Sequence, residues 1–516
     1  MSDPNDRPPQ DQPSQDPVSQ DQSSEGQSSE GQKTSGSTAD FAQKVMKGGL
    51  YLAMRQLVSV GLSIVSVLVV ARKLGPADYG VLVNALGIYY FVTWTGRLGL
   101  HVYLIQKQDL ADGVAAQILA FLNWLNVGLA IALVLIAPAI GGWTGKDAIA
   151  DLVRWLPVAI ATDLAASVSI AMLERRLAFA QVGLIEMGAQ FANYLITLPL
   201  VFAGWRYWGP IAGLSARGLT LLLLAQFFYP VRWQWRWQWS TLRPALRYGL
   251  SFSLADWVSA LKALTIPVIV TPIAGVEAAG LVSIAIRLTE QLSVLRLVIR
   301  RMSLSIMARL GNNTRVILST ISRGMAYQAL MVGAICSAFA CLDGWIIPLL
   351  FGDDWLRSTH IFPFVALSAM VRAMFDLHAG ALHAVNRNLA VTRVYIAYIA
   401  LLWVGCWLMM PRFGLWGYGF AELLTVLSYV GLHLAIVKLY GSPRYGAAAW
   451  LTVAAMVPIL GSLISPVIGI VAFCLSYSLV LLIPTVRVIP MELANVLRRR
   501  SQPVESVESA DPVESI

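Results

Sequence analysis

Charge is scarce in this chain: only 13% of its 516 residues are Asp, Glu, Lys or Arg, where a soluble protein carries about 25%. With 57% hydrophobic residues and a mean hydropathy of +0.64, such a chain aggregates in water, which excludes a large soluble enzyme. Cysteine is nearly absent. Cys336, Cys341, Cys406 and Cys474 all fall in apolar runs, none forms a CxxC pair, and no histidine stands at zinc spacing. They read as small hydrophobes inside helices, with no metal or redox centre. No GxxxxGK[ST] sequence occurs, so neither a bound nucleotide nor any other cofactor is expected. No apolar stretch precedes Gly48; a signal peptide is therefore not expected, and the N-terminus is expected to stay in the cytoplasm.

The charge that is present is unevenly spread. Residues 1–40 carry eight acids and two bases, and residues 501–516 four acids and no base, so the net +9 of the whole chain leaves +19 on residues 41–500. Both tails are too poor in apolar residues to offset chain entropy by burial, and are expected to be disordered. A basic balance often indicates nucleic acid. Here its position indicates a membrane instead.

Spanning a bilayer takes about 20 predominantly apolar residues. Fourteen stretches qualify: 50–71, 80–96, 115–138, 149–172, 182–204, 207–229, 247–271, 279–299, 325–350, 357–384, 392–410, 415–437, 446–465 and 467–486. An even number puts both termini on one side. With that side cytoplasmic, the inner loops hold 24 Lys and Arg and the outer loops 7, the asymmetry that fixes orientation. The basic balance thus records topology, and no nucleic-acid partner is expected. No outer loop exceeds about a dozen residues, which leaves a membrane-embedded polymerase or glycosyltransferase no room to hold its substrate on that face.

The two halves echo each other. LGPADYG (Leu74 to Gly80) matches AGVEAAG (Ala274 to Gly280), LERRLAF (Leu173 to Phe179) matches VNRNLAV (Val385 to Val391), and YWGPIAG (Tyr207 to Gly213) matches LWGYGFA (Leu415 to Ala421), in the same order. In the first pair an acid, Asp78 or Glu277, precedes the second glycine. The expected fold is an all-α polytopic membrane protein of about 14 helices. It is built as two pseudo-repeated six-helix lobes (45–230 and 247–440) and a C-terminal helix pair (441–488). An acidic tail (1–44), a Trp/Arg-rich connector (231–246) and a basic-then-acidic tail (489–516) complete it. Internal repeats of this kind are the ground plan of alternating-access transporters, with the site at the repeat interface.

The chain resembles the Wzx-like polysaccharide (oligosaccharidyl-lipid) flippases, in the superfamily that also holds MATE drug exporters and lipid II flippases. The resemblance rests on VARKLGPADYGVLVNALGI, LIQKQDL (Leu104 to Leu110), LERRLAFAQVGLIEMGAQ, LRYGLSFSLADW and PLLFGDDWLRS, and runs over residues 45–490. It implies two six-helix lobes around a central cavity and movement of an undecaprenyl-pyrophosphate-linked glycan to the outer leaflet of the bacterial inner membrane. The partners it implies are lipid-linked oligosaccharide, membrane lipids, and the polymerase and chain-length proteins of polysaccharide synthesis. The neighbouring readings are a drug exporter or a lipid II flippase, and, from another class, a membrane-embedded polymerase.

A charge at a span centre costs about 2.5–3.5 kcal/mol on insertion scales, so charges inside spans are functional candidates. Arg287 with Glu290, and Arg372 with Asp376, stand at i,i+3 and i,i+4 and can neutralise each other on one helix face. Arg55, Arg217 and Lys262 have no acid at that spacing. Given the resemblance, Arg217, Lys262 and Arg55 are the first candidates to hold the pyrophosphate, and Arg372 and Arg287 the next, since guanidinium forks and ammonium groups replace phosphate hydration. The competing reading for each is an interhelix salt bridge. Glu186 and Asp256, the acids with least local pairing, are the candidates for coupling a proton or sodium ion.

The connector RWQWRWQW (Arg232 to Trp239) alternates tryptophan with polar or basic residues. Extended, it turns all four indoles one way, which suits anchoring at the inner membrane interface. His378 and His383 stand five apart and do not share a face at metal spacing. Tyr89, Tyr90, Trp94, Trp124 and Trp257 are the aromatics placed to line a sugar path, packing being the alternative.

Overall fold

A computed structural model describes the backbone of residues 30–294, 296, 313–385 and 387–489, and side chains from residue 61 onward within those ranges, residues 62 and 255 excepted. Most of both acidic tails and the side chain of Arg55 lie outside the described residues. Residues 1–55 and 56–516 form separate compact units; the first is described only as helical backbone from Glu30 onward.

Among the described residues the chain is helical, without strands. The order is α1 (Glu30–Gly96), α2 (Leu100–Gln106), α3 (Val114–Thr144), α4 (Asp147–Arg175), α5 (Phe179–Phe202), α6 (Trp208–Phe228), α7 (Trp239–Ala260), α8 (Thr271–Leu292), α9 (Thr314–Phe351), α10 (Phe362–Ala384), α11 (Asn388–Phe413), α12 (Leu415–Leu424), α13 (Val430–Tyr440), α14 (Gly446–Ser462) and α15 (Pro466–Leu481). Short 3-10 or π turns join α7 to α8, α9 to α10 and α12 to α13. Nine helical stretches among the described residues are long and apolar enough to cross a membrane. The bundle carries large apolar side chains outward, among them Leu135, Phe227 and Leu349. That is stable only where the surrounding solvent is hydrocarbon.

Local chemistry sets several boundaries. Asn313 caps α9 by accepting from the Val316 N–H at 3.3 Å, relieving one of the orphan donors of a helix start. Asp147 opens α4 and Arg175 closes it, each sign matched to the helix dipole. Gly145 ends α3 with a φ of 66°, a conformation glycine adopts without strain.

The repeat appears as a shared break. α1 loses helical geometry at Gly75 (φ 69°, ψ 173°) and α8 at Gly275 (φ 84°, ψ 173°), the paired glycines of the first sequence echo. Expected spans 50–71 and 80–96 are therefore two limbs of α1. Span 247–271 runs through α7 and the turns after it, and span 279–299 begins in α8, which ends at Leu292; its last residues lie outside the described ones. The limbs beyond the breaks press on each other. A Cβ on Gly80 would fall 1.7 Å from the Val276 carbonyl oxygen, and one on Gly280 2.1 Å from that of Pro76. These contacts exchange under the repeat, as a local two-fold axis requires. The acids of the echo are used alike: Asp78 is held by both Nε and Nη2 of Arg206, and Glu277 accepts from Arg357 at 2.7 Å.

A second close approach lies at the far end of the same seam. A Cβ on Gly99 would sit 2.3 Å from the Gly249 carbonyl oxygen, and one on Gly249 2.3 Å from that of Leu98. The helix pair α14 and α15 is short, 17 and 16 residues, and α15 ties back to α14 through a hydrogen bond from the Ser476 hydroxyl to the Ala454 carbonyl.

Candidate functional site

The seam between α1 and the α7–α8 segment is irregular for a local reason. Pro267 has no N–H, so the Ala263 carbonyl loses its α-helical partner. The backbone responds with a 3-10 turn at Leu261–Leu264 and a π turn at Ile266–Val270. Tryptophans from elsewhere bond into this stretch: the Trp143 indole N–H donates to the Val268 carbonyl at 3.1 Å, and that of Trp403 to the Thr265 hydroxyl at 3.0 Å. Gly87 of α1 lies against this turn, and a Cβ there would come within 2.5 Å of the Ala263 carbonyl oxygen. Lys262 sits on the 3-10 turn itself.

A cavity of about 380 Å³ opens in this seam, lined by Tyr79, Gly87 and Tyr90 of α1, by Lys262, and by Arg287 and Glu290 of α8. Lys262 Nζ stands over the Tyr398 ring, 5.4 Å from its centroid, and feels Arg372, Glu422 and Glu290 electrostatically. Arg287 shares the cavity wall with Tyr79 and Tyr90 and interacts with both electrostatically. Arg372 feels Tyr398, Tyr429, Glu422 and Glu290, and its Nε is buried without a hydrogen-bond partner. Glu422, 1% exposed, accepts from Tyr398 at 2.8 Å and from Ser368 and Tyr418 at 3.4 Å. Counted at their ordinary charges and among the described residues, Lys262, Arg287 and Arg372 outnumber Glu290 and Glu422 by one, Arg296 nearby being paired with Asp376, in a site partly walled by low-dielectric protein where each charge counts for more than in water.

The five expected phosphate ligands separate. Lys262 and Arg287 line the cavity, and Arg372 adjoins Lys262. Arg217 goes elsewhere: it reaches Asp163 of α4 at 3.0 Å, and the Tyr89 hydroxyl bonds the same carboxylate. The interhelix salt bridge is the observed arrangement for Arg217, because Asp163 is 3% exposed and a buried carboxylate without a cation is strongly destabilising. The side chain of Arg55 lies outside the described residues. The Arg372–Asp376 pairing gives way to a longer-range one, as Asp376 binds Arg296 at 3.2 Å. Glu290 stands among three cations, Lys262, Arg287 and Arg372, and not with Arg287 alone. Glu186 is engaged by neighbouring groups, Asp256 is exposed, and neither lines this cavity.

A larger apolar groove of about 600 Å³ lies between α14 and α15, and among the described residues no charged one lines it; its apolar wall does not suit a charged headgroup. The connector lies along the start of α3. Gln238 N–H donates to the Gln117 side chain at 3.0 Å, the Trp124 indole to the Trp235 carbonyl at 2.9 Å, and indoles touch in i,i+2 pairs, Trp233 with Trp235 and Trp237 with Trp239. Among the described residues no group of three or more His, Cys, Asp or Glu is placed to hold a metal.

Two feature sets escaped the reading of the sequence. The hydroxyl partners of Glu422, namely Ser368, Tyr398 and Tyr418, gather around it from three helices and leave no local pattern. Gln190, Asn193, Tyr194 and Thr197 form an i, i+3, i+4, i+7 polar stripe in an apolar span, a signal that helical periodicity exposes.

Comparison with known proteins gives the same fold. The chain has a TM-score of 0.64 to the lipid II flippase MurJ in an inward closed conformation, at 12% identity over 84% of this chain and 98% of that one. Against an inward-facing multidrug resistance MATE transporter the score is 0.58, at 14% identity over 76% and 98%. In sequence it is 22% identical over 349 residues to the lipopolysaccharide biosynthesis protein WzxC of Escherichia coli (strain K12), covering 64% of this chain and 68% of that protein. To the succinoglycan biosynthesis transport protein ExoT of Rhizobium meliloti (strain 1021) it is 26% identical over 167 residues, 31% of this chain and 33% of that protein. Residues 69–360 match the profile described as polysaccharide biosynthesis protein. On that match the chain is a member of the polysaccharide biosynthesis protein family.

Proposed function

We propose that the protein is a flippase that moves an undecaprenyl-pyrophosphate-linked oligosaccharide from the inner to the outer leaflet of a bacterial inner membrane, both termini cytoplasmic, by alternating access of its two lobes. It performs no covalent chemistry. The observation that carries the reading is the seam cavity with Lys262 and Arg287 on its wall and Arg372 beside it. A pyrophosphate cannot cross hydrocarbon without replacing its hydration, and fixed cations replace it. The names of WzxC and ExoT, both polysaccharide-related, support the cargo class. The polyprenyl tail stays in the bilayer throughout.

Close approaches at both ends of the seam, Gly80 with Val276 and Gly99 with Gly249, support alternating access, since each is a contact that one facing state must open. With the cell interior negative, each anionic charge moved outward gains about 2.3 kcal/mol per 100 mV, which supplies a driving force without ATP. Glu186 and Asp256 remain the proposed ion-coupling acids, to which Glu290 is added by its place in the cavity. Polymerase and chain-length proteins are the proposed partners downstream.

Deletion of the gene tests the reading. Lipid-linked oligosaccharide is expected to accumulate on the cytoplasmic leaflet. A change in glycan chain length alone indicates a polymerase; unaltered lipid-linked glycan with new drug sensitivity indicates an exporter; and accumulation of lipid II indicates that cargo instead.

A further inference from the structure

A second, smaller cavity of about 140 Å³ adjoins the charged one and shares Tyr79, Leu86, Tyr90 and Arg287 with it. Its far wall is the polar stripe of α5, Gln190, Asn193, Tyr194 and Thr197, faced by Ser63 and Ser66 of α1. Among the described residues no carboxylate lines it, and Arg287, at the junction with the larger cavity, is the one charged residue on its wall. Amides and hydroxyls are costly inside a membrane unless bonded. This set is partly bonded within itself: Gln190 donates to the Tyr194 hydroxyl, and Thr197 to the side-chain amide oxygen of Asn193 at 3.1 Å. Asn193 and Thr197 also pack against Gly213 of α6, but that packing does not require the open space the stripe lines.

We infer that this niche is the subsite for the sugar ring next to the pyrophosphate, an uncharged pyranose; the inference rests on the proposed flippase function. The chemistry fits on three counts. Side-chain amides and hydroxyls donate and accept alternately, as sugar hydroxyls do. The rings of Tyr90 and Tyr194 add the amphipathic faces that suit a pyranose, apolar in body and polar at the tip. The niche is well under half the volume of the adjoining cavity, so it is assigned one ring at most, and later sugars extend from it into the larger cavity. Arg287 stands at the junction, where a pyrophosphate joined to that ring would lie.

The test uses the full chain in nanodiscs with two probes, undecaprenyl pyrophosphate and undecaprenyl-pyrophosphoryl glucose, and the variants Asn193→Leu and Gln190→Leu. Wild type is expected to bind the glucosylated lipid about tenfold more tightly than the bare one, the scale of one or two net hydrogen bonds. Each variant is expected to lose most of that preference while holding the bare lipid within about twofold of wild type. An unchanged preference in both variants overturns the subsite. So does equal binding of the two lipids by wild type, and so does loss of both lipids in the variants, which marks the stripe as structural. Failure of wild type to bind either lipid overturns the flippase reading itself, and the subsite with it.

Discussion

Gly80 touches the backbone of Val276 so closely that a methyl group in place of its hydrogen would fall 1.7 Å from the carbonyl oxygen. The obstacle is backbone, which cannot swing aside as a side-chain tip does. Gly80→Ala and Gly280→Ala should therefore each force the seam apart at its broken-helix end, with an overpacking cost of about 1–3 kcal/mol. Both are expected to lower the unfolding temperature of the purified protein and to reduce glycan export by more than the loss of folded protein explains. Export in proportion to folded protein would show that the contact is only packing.

The Arg217–Asp163 pair predicts a stability effect separable from transport. Removing one member leaves the other without its counter-charge, about 3–5 kcal/mol for a fully buried pair and less here because Arg217 retains 28% exposure. Arg217→Met should destabilise strongly, and Arg217→Met with Asp163→Asn should lose less than the two single changes together. Thermal unfolding of the four proteins in detergent measures the coupling. Strict additivity would mean that the pair contributes nothing as a pair.

How much of this was legible beforehand follows from chain distance. The breaks at Gly75 and Gly275 are local requirements for φ above zero, and the sequence echo marks both. The cavity lysine was legible too, because Lys262 is a cation in an apolar run with no acid within a helical turn. Arg217 satisfied the same rule and failed it, because its partner lies 54 residues away on another span. Asp376 likewise pairs with Arg296 across the bundle, since an acid at i,i+4 fixes only what can meet. The α5 stripe was open to reading, whereas the hydroxyl cage of Glu422 needs α10, α11 and α12 to be packed first.

His101, on α2 between the second and third expected spans, predicts an acid-sensitive stability. Its burial, and then the charge of Arg97, push it down to about 4, against about 6.5 in an unfolded chain. The unfolded state therefore binds the extra proton between those values. Stability is full above about pH 6.5 and falls as the pH drops toward 4. His101→Gln should flatten that part of the profile of unfolding temperature against pH. An unchanged slope would place the acid sensitivity elsewhere.

The connector should depend on α3. Gln117→Ala and Trp124→Leu remove its two anchoring hydrogen bonds, each worth about 1 kcal/mol net. Faster amide exchange confined to residues 231–238 is the expected result, with exchange in α5 and α6 unaltered. Uniform exchange across the two proteins would indicate that the indole contacts alone hold the segment.

The central claim is that Lys262 and Arg287 carry the pyrophosphate through the seam. The direct measurement is translocation of undecaprenyl-pyrophosphoryl glucose across vesicles holding wild type, Lys262→Gln, Arg287→Gln or the double variant, each verified as folded by its unfolding temperature. Charged hydrogen bonds of about 1.5–3 kcal/mol apiece predict a loss of about ten- to a hundredfold for each single change, and background flux for the double. Translocation by the folded double variant at the wild-type rate would contradict the account.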